Sequence, residues 1–377
     1  MEENKIIAYK GFDYNLSCRG FKYEVGKEYE IESGDIVLCV NGFHACQNPI
    51  DVLRYYGNDM SNRFCIVELS GKIVQGRYQY AAQKIKILKE IDAEDIYKAW
   101  MEQTISKQST ADFPGGGNFN IGNLDEDCSL IGVKTSNEHI ASEKDLISIL
   151  SRGDHNHINL TGNHNRVVSS GSCAEIIATG NECLIVSTGF DANIVTLGIE
   201  AQICKTNHSG QISANGPVSK IGASGKHMSI NANGEMTQIW SGGDFSLINT
   251  TGLNNVICSS GDYSQITTSG NYTYVESKGK NVVICCTGRN SVAKAKKGSY
   301  ITLTEWNEFR DSTWFCSPGY YKPICTKTEI VDGERIKEDT WYYIKNGEFV
   351  DIKNAASLWR FRSYTFRNYI WAKYYKK

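Results

Sequence analysis

The stretch that decides the fold is Gly153–Lys296, which begins GDHNHINLT GNHNRVVSS GSCAEIIAT GNECLIVST GFDANIVTL and continues in blocks of nine without insertion or deletion. It holds sixteen copies, and the first position is Gly in fifteen of them, Asn207 being the exception. Glycine, and after it asparagine, tolerates a positive φ best. We therefore expect the first position of each copy to form a turn.

The sixth position of the repeat carries one aliphatic side chain in the same place in nearly every copy. It is Ile in thirteen of the sixteen copies, Val in two and Ala in the last. Positions four and eight are mostly small, so positions four, six and eight alternate with mixed positions, which is typical of a strand with one inward face. A nine-residue unit cannot bury that face alone, and stacking of successive units does so. The sequence predicts a mainly β protein built on a parallel β-solenoid.

The sequence allows two values for the number of repeats in each coil of the solenoid. Two repeats per coil give eight coils that rise about 4.8 Å each, and we favour this arrangement. Three repeats per coil, in a triangular prism, remain the alternative. Position two holds no column of carboxylates, so we expect no calcium, and the spacing of Cys18, Cys39, His44, Cys46 and Cys65 matches no standard zinc module. We expect no metal and no cofactor.

The repeat divides the 377 residues into parts. They are a small α+β head (1–107), a Pro/Gly linker (108–118), the solenoid (119–296), an antiparallel β cap (297–352) and a basic aromatic tail (353–377). Ile131, Ile140 and Ile149 keep the spacing of nine before the regular block, which indicates degenerate coils. A short capping helix over 144–150 is the alternative there.

Composition excludes several classes of protein. The formal net charge is −2 and the pI is near 6.4, so no global field attracts nucleic acid or anionic lipid. No apolar run approaches the length of a membrane span, and the N-terminus lacks the apolar core of a signal peptide. We expect a soluble cytoplasmic protein with reduced cysteines.

The head carries a family resemblance in three separated motifs. They are CRGFKYEVGK at 18–27, GFHACQNP at 42–49 followed by Asp51-Val52, and KIKILKE at 84–90. In this order they resemble the N-terminal domain of an uncharacterised family of bacteriophage and prophage proteins, some of which also carry repeat arrays. The resemblance implies a viral or mobile-element setting and implies no particular reaction.

An enzyme is the alternative reading of the head, which distantly resembles the NAD-binding core of ADP-ribosyltransferases. That resemblance implies a nucleotide site at Lys10, Arg19 and His44. Lys10 stands where that family prefers Arg or His, however, and Glu68 and Glu90 are the available candidates for its catalytic acid. We expect a non-catalytic head.

Outward positions five and seven of the solenoid include large apolar residues. In water, such residues indicate a surface that something covers. We predict contact with a protein partner and a homo-oligomer, with a dimer favoured, while cover by the head or the tail is the alternative. The predicted interaction residues are Leu184, Val186, Trp240, Leu247, Val256 and Tyr274.

The last stretch, 353–377, has seven Lys or Arg, eight aromatic residues and no acid. Such a tail fits docking of its aromatic rings on the last coil, which we favour, or contact with a nucleic-acid backbone. The predicted tail contacts are Trp359, Arg360, Arg362, Arg367 and Trp371.

These observations predict a non-catalytic, phage-type binding protein whose solenoid presents an extended surface and inhibits a host defence macromolecule. The alternatives are the ADP-ribosyltransferase-like enzyme on a solenoid scaffold, and a structural component of a virion or its assembly.

Overall fold

The structure is a computed structural model that describes residues 5–31, 35–56, 62–76, 78–92, 95–96, 98–100, 102–103, 119–125, 128–309 and 320–352. The predicted linker (108–118) and tail (353–377), with all five tail contacts, lie outside the described residues. The described residues form two compact units, one up to residue 103 and one from residue 119.

The head unit contains an antiparallel sheet with strand order β1-β6-β7-β4, in which β5 also pairs with β7, and a separate short ladder of β2 and β3. Its strands are β1 (Ile6–Phe12), β2 (Ser17–Cys18), β3 (Phe21–Lys22), β4 (Glu28–Glu30), β5 (Phe43–Ala45), β6 (Arg63–Gln75) and β7 (Tyr80–Ile91).

Helical structure in the head begins with a 3₁₀ turn over Pro49–Asp51, which continues into helix α1, Val52–Tyr56. Proline at the first helical position is preorganised for this start. The ring of Tyr56 lies 2.5 Å from where a Cβ on Gly11 would be. Glycine in β1 therefore lets α1 pack directly on the sheet.

The second unit is a parallel β-solenoid of about 10 turns over residues 131–303. Its first sheet consists of β10 (His139–Ser142), β12 (His157–Leu160), β14 (Glu175–Ala178), β16 (Ala192–Thr196), β18 (Gly210–Ala214), β20 (Met228–Ala232), β22 (Leu247–Thr250), β24 (Gln265–Thr268), β26 (Val283–Cys286), β28 (Tyr300–Phe309) and β29 (Tyr320–Ile330).

The second sheet takes the alternate repeats. It consists of β8 (Phe119–Asp125), β9 (Cys128–Val133), β11 (Ile147–Ser151), β13 (Arg166–Ser169), β15 (Leu184–Ser187), β17 (Gln202–Lys205), β19 (Lys220–Ala223), β21 (Gln238–Ser241), β23 (Val256–Ser259), β25 (Tyr274–Ser277), β27 (Val292–Lys294), β30 (Tyr342–Lys345) and β31 (Glu348–Asp351).

The register confirms two repeats per coil. Each strand pairs in parallel with the strand two repeats later, so that Ile248 lies beside Ile266 and Ile266 beside Ile284. The position-six side chains of both sheets meet in one apolar core that runs the length of the solenoid. Residues 147–151 form strand β11, so the alternative of a capping helix there is wrong.

Contact between successive coils is what requires glycine at the first position. The expectation that these glycines form the turn with a positive φ is wrong. Between Gly153 and Gly288, none of the fifteen has a positive φ. A Cβ on any of them would lie 1.8–2.1 Å from a carbonyl oxygen of the preceding coil. Backbone therefore stacks directly on backbone in this column, and no side chain fits between the coils.

The left-handed residue of each corner is at position three. All sixteen residues of that column have φ between 50° and 63°, and they include His, Cys, Glu, Val, Phe and Tyr. L-residues other than Gly, Asn and Asp adopt this conformation at a cost of about 1 kcal/mol or more. The hydrogen-bonded stack holds them there, since the position-three N–H donates to the next coil, as from His227 to the carbonyl of Asp244 at 2.9 Å.

Small polar side chains at position four close the corner. Asn165, Ser219 and Thr273 each donate to the carbonyl of the glycine three residues earlier, at 2.8, 2.9 and 2.9 Å. This bond satisfies a carbonyl inside the corner, which explains why Asn, Ser and Thr occupy a buried column.

One corner departs from the repeat in three positions at once. Lys205 replaces a small residue at position eight, and Asn207 replaces Gly at position one. Gly210 occupies position four, where it has no side chain. The Lys205 side chain is fully buried, and its Nζ donates to the carbonyls of Gly189 at 2.5 Å and Asn207 at 3.2 Å. A Cβ on Gly210 would meet Cε of Lys205 at 3.1 Å. The lysine thus bridges two successive coils, and its side chain fits because Gly210 has no Cβ.

Burial lowers the pKa of Lys205 to about 8, which predicts a pH-dependent stability. Between about pH 8 and the unfolded value near 10.4, the unfolded chain holds a proton that the folded chain has released. Stability therefore rises with pH in that window. We expect the free energy of unfolding of the wild type, relative to Lys205→Met, to increase by on the order of 1–2 kcal/mol from pH 7.5 to pH 10. Denaturant titrations of both proteins measure it, and a constant difference would contradict it.

The cap closes the C-terminal end of the solenoid. Strand β28 pairs in parallel with β26 and antiparallel with β29, and β30 and β31 form a hairpin through Asn346-Gly347. Both turn residues have a positive φ, as a two-residue hairpin loop requires. Val331 and Tyr342 are buried against the last coils, so the cap covers the end of the apolar core.

Candidate interaction surface

The outer face of the second sheet, where five of the six predicted interaction residues lie, is largely buried within the chain. Val186 is 1% exposed, Trp240 4% and Tyr274 7%. Val256 is also buried and Leu184 is half-buried. These positions point away from the Ile column, as the sequence indicates, but they do not face solvent.

Part of this cover is visible at Tyr274. The ring of Trp341 lies edge-to-face with it at a centroid distance of 6.4 Å. Nζ of Lys294 is 5.2 Å from the centre of the same Trp341 ring. The expectation of solvent exposure for these residues is therefore corrected by their burial, and at Tyr274 the covering residue, Trp341, is distant in sequence. Leu247 is the exception among the six: it lies on the first sheet and is 40% exposed.

The outer face of the first sheet is open to solvent. We define the open face as the residues at positions five, seven and nine of every second copy, from the copy that begins at Gly153 to the copy that begins at Gly279, together with Tyr300 and Thr302. All of them are exposed or half-buried.

The open face is free of formal charge over most of its length. From Asn193 to Thr302 it comprises twenty residues, and none is Asp, Glu, Lys, Arg or His. Charged residues make up 22% of the chain, so a proportional share of twenty residues would be about four. Protein surfaces are usually richer in charge than the whole chain. The lack of charge is thus a property of this face.

Amide and hydroxyl side chains form ladders along the open face from coil to coil. The Asn249 amide donates to Asn231 at 3.1 Å, and the Asn233 amide donates to Asn215 at 2.8 Å. The Thr251 hydroxyl donates to Asn233 at 3.0 Å. These bonds fix the orientation of the side chains, and each amide keeps further donor and acceptor capacity.

Charge enters the open face only in its first two coils. Nδ1 of His157 lies 2.5 Å from Oε2 of Glu175, and the ring of His139 stacks on that of His157 at 4.6 Å. Apolar residues occur towards both ends, with Ile177 and Leu197 at one and Val283 and Tyr300 at the other. The middle coils are neutral and, apart from Leu247, polar.

The head brings together the three residues of the predicted alternative nucleotide site. Nζ of Lys10 donates to the carbonyl of His44 at 2.8 Å and lies 3.7 Å from Sγ of Cys18. Nε2 of His44 accepts the N–H of Cys39 at 2.9 Å, and Arg19 reaches the Cys39 carbonyl at 3.5 Å. The ammonium of Lys10 is thus directed into the protein, where it ties strand β1 to strand β5.

Electrostatics in this cluster follow from burial. Lys10 is 4% exposed, and burial lowers the pKa of its ammonium, while the neighbouring Cys18 opposes that shift. Burial, and then the charge of Lys10, lower the pKa of His44. The two candidate catalytic acids are in ion pairs, Glu68 with Lys5 at 2.9 Å and Glu90 with Arg63 at 2.6 Å. The Arg63–Glu90 pair joins strands β6 and β7, and Lys5 lies just before strand β1.

The described residues contain neither a cluster of metal ligands nor a membrane-spanning helix. In that part of the chain, no three His, Cys, Asp or Glu side chains are placed to hold a metal ion. The described helices include none that is long and apolar enough to span a membrane.

Sequence reasoning missed the open face because it examined the outward columns of both sheets together. Reading every second copy separately would have shown the neutral columns, for example Asn193, Gln211, Ser229, Leu247 and Gln265 at position five. That reading needs two repeats per coil, which the sequence favoured without settling.

Comparison with known proteins locates a family domain in the head. Residues 6–99 match the family profile described as "Domain of unknown function (DUF7666)". Neither the curated proteins nor the solved structures contain a significant match to the chain. The N-terminal antiparallel unit is therefore similar to an uncharacterised domain family, and the match does not extend into the solenoid.

Proposed function

We propose that this is a non-catalytic binding protein whose open face engages a protein partner. The observation that carries the proposal is the run of twenty outward residues without a formal charge on an otherwise charged chain. Depletion of charge marks the central part of protein–protein interfaces. A nucleic acid would instead require Lys and Arg for its phosphates, and this face supplies none.

The rigid scaffold supports the same proposal. The ladders of Asn231, Asn233 and Asn249 hold their amides in place before any partner arrives. A preorganised surface loses little side-chain entropy on binding. The buried Lys10 and the ion-paired Glu68 and Glu90 support a non-catalytic head.

The setting that we propose is a bacteriophage or prophage protein that acts in the host cytoplasm and blocks a host defence macromolecule. The motifs at 18–27 and 42–49 support the phage origin by resemblance. Cysteines without disulfides in the described part of the chain fit a reducing compartment.

Affinity capture tests the proposed function. The protein is immobilised and exposed to a lysate of the cells in which it is produced, and captured proteins are identified by mass spectrometry. We expect the double variant Gln211→Lys/Gln265→Lys to lose at least about tenfold in capture, because it places buried charge in the contact. Ser224→Lys, on an exposed site after strand β19 of the other sheet, is the matched control. Identical capture by all three proteins would contradict the proposal.

A further inference from the structure

We infer that the occupant of the open face is a second copy of this chain, packed face to face and antiparallel about a two-fold axis. The inference rests on the proposed function, since it assumes that the open face binds protein. Its support comes from the size of the face, from its neutrality and from the position of its charged coils at one end.

The open face is large enough for a specific protein–protein interface. Nine coils from His157 to Thr302 at about 4.8 Å each, and a width of about five strand residues, give a face about 40 Å by 15 Å. Two copies would bury about 1,200 Å² together, at the lower end of specific protein–protein interfaces. The contact involves flat sheets with preset side chains, so little reorganisation opposes it.

Because the face carries no formal charge over most of its length, two copies would not repel each other electrostatically there. A two-fold interface brings the same surface of each copy together, so any excess of one charge on the face would repel itself. From Asn193 to Thr302 the face has none. The charged coils, with His157 and Glu175, lie at one extremity.

The antiparallel arrangement keeps the charged coils of the two copies apart, at opposite ends of the contact. The two-fold axis lies in the plane between the two facing sheets and runs perpendicular to the solenoid axis. It passes between the coils of Asn231 and Asn249. Each coil on one side of the axis therefore faces the coil at the same distance on the other side, from the second copy. Val195 then faces Cys285 of the second copy, and Ile177 faces Thr302 beside Tyr300. Glu175 faces Tyr300 of the second copy and not a second Glu175.

The central coils pair polar groups at position seven in the same arrangement, while Leu247 faces Ser229 at position five. Asn231 faces Asn249 of the second copy, and Ser213 faces Thr267. The intrachain ladder uses one donor of Asn249 and one acceptor of Asn231, and the remaining amide groups of both residues can bond across the axis. Hydrogen bonds between preset amides would replace those to water.

Mass measurement is the first test. Sedimentation of the full chain at micromolar concentration should give twice 42.1 kDa. Asn249→Lys, which puts two ammonium groups near the axis, should raise the dissociation constant at least about tenfold. Ser224→Lys should leave it unchanged. A circular dichroism spectrum identical to that of the wild type shows that the variants are folded.

Cross-linking tests the orientation independently of affinity. Val195→Cys should be joined to Cys285 of the second copy by a short bis-maleimide, and peptide mapping identifies the pair. Ser224→Cys, at an exposed site after strand β19 of the other sheet, is the control and should give no link to Cys285. A Cys285–Cys285 link in the wild type would indicate parallel rods and would overturn the antiparallel arrangement.

A monomeric wild type, or an open-ended assembly, would also overturn this inference. If that monomer still loses capture through Gln211→Lys/Gln265→Lys, the proposed function stands and only the identity of the occupant is wrong. If capture is insensitive as well, both fail.

Discussion

Gly243→Ala should destabilise the solenoid by on the order of 4 kcal/mol, or prevent its folding, because the new methyl group has no space. Its Cβ would lie 1.8 Å from the carbonyl oxygen of Gly225 and 2.3 Å from the carbonyl carbon. Both atoms belong to the backbone of the preceding coil, so no side-chain rotation relieves the contact. The coils would have to separate, which breaks the parallel ladder on both sides.

Asn207→Ala is the control for that experiment, because position 207 is the one first-position site that already carries a Cβ. We expect it to change the free energy of unfolding by less than about 1 kcal/mol. Denaturant unfolding followed by circular dichroism measures both variants, and limited proteolysis reports a variant that does not fold. Equal effects of the two substitutions would show that backbone stacking is not what requires glycine.

Ile266→Ala should cost about 2–5 kcal/mol, because it leaves a cavity between Ile248 and Ile284 in a column that is fully buried. A solenoid coil contacts only its neighbours, so the loss is concentrated in three coils. Hydrogen exchange should show the largest loss of protection in strands β22, β24 and β26.

Gln265→Ala, one residue earlier on the open face, is the matched control and should change stability by less than about 0.5 kcal/mol. Lys220 and Ile221 would make a poor pair for this comparison, since Lys220 is 5% exposed on the covered sheet. If Gln265→Ala costs as much as Ile266→Ala, the assignment of inward and outward positions is wrong.

The sequence correctly predicted that the side chains of the candidate site point away from the core. It did not predict which of them are exposed to solvent. Trp240 and Tyr274 lie at positions whose side chains leave the Ile core, as the period of two along a strand requires. Leu247 obeys the same rule and is exposed, while Trp240 is 4% exposed. The periodicity that orients a side chain contains no information about what lies above it.

The sequence by itself determined the solenoid, its inward column and its hairpin cap, because nine-residue spacing and turn residues such as Asn346-Gly347 act over short distances along the chain. The position of the left-handed residue, the reason for the glycine column and the lysine bridge at Lys205 were decided by contacts between successive coils. Which sheet is covered and which is open was decided by contacts more distant still, such as that of Trp341 with Tyr274. Local pattern fixes where a side chain points, and only the tertiary structure fixes what it meets.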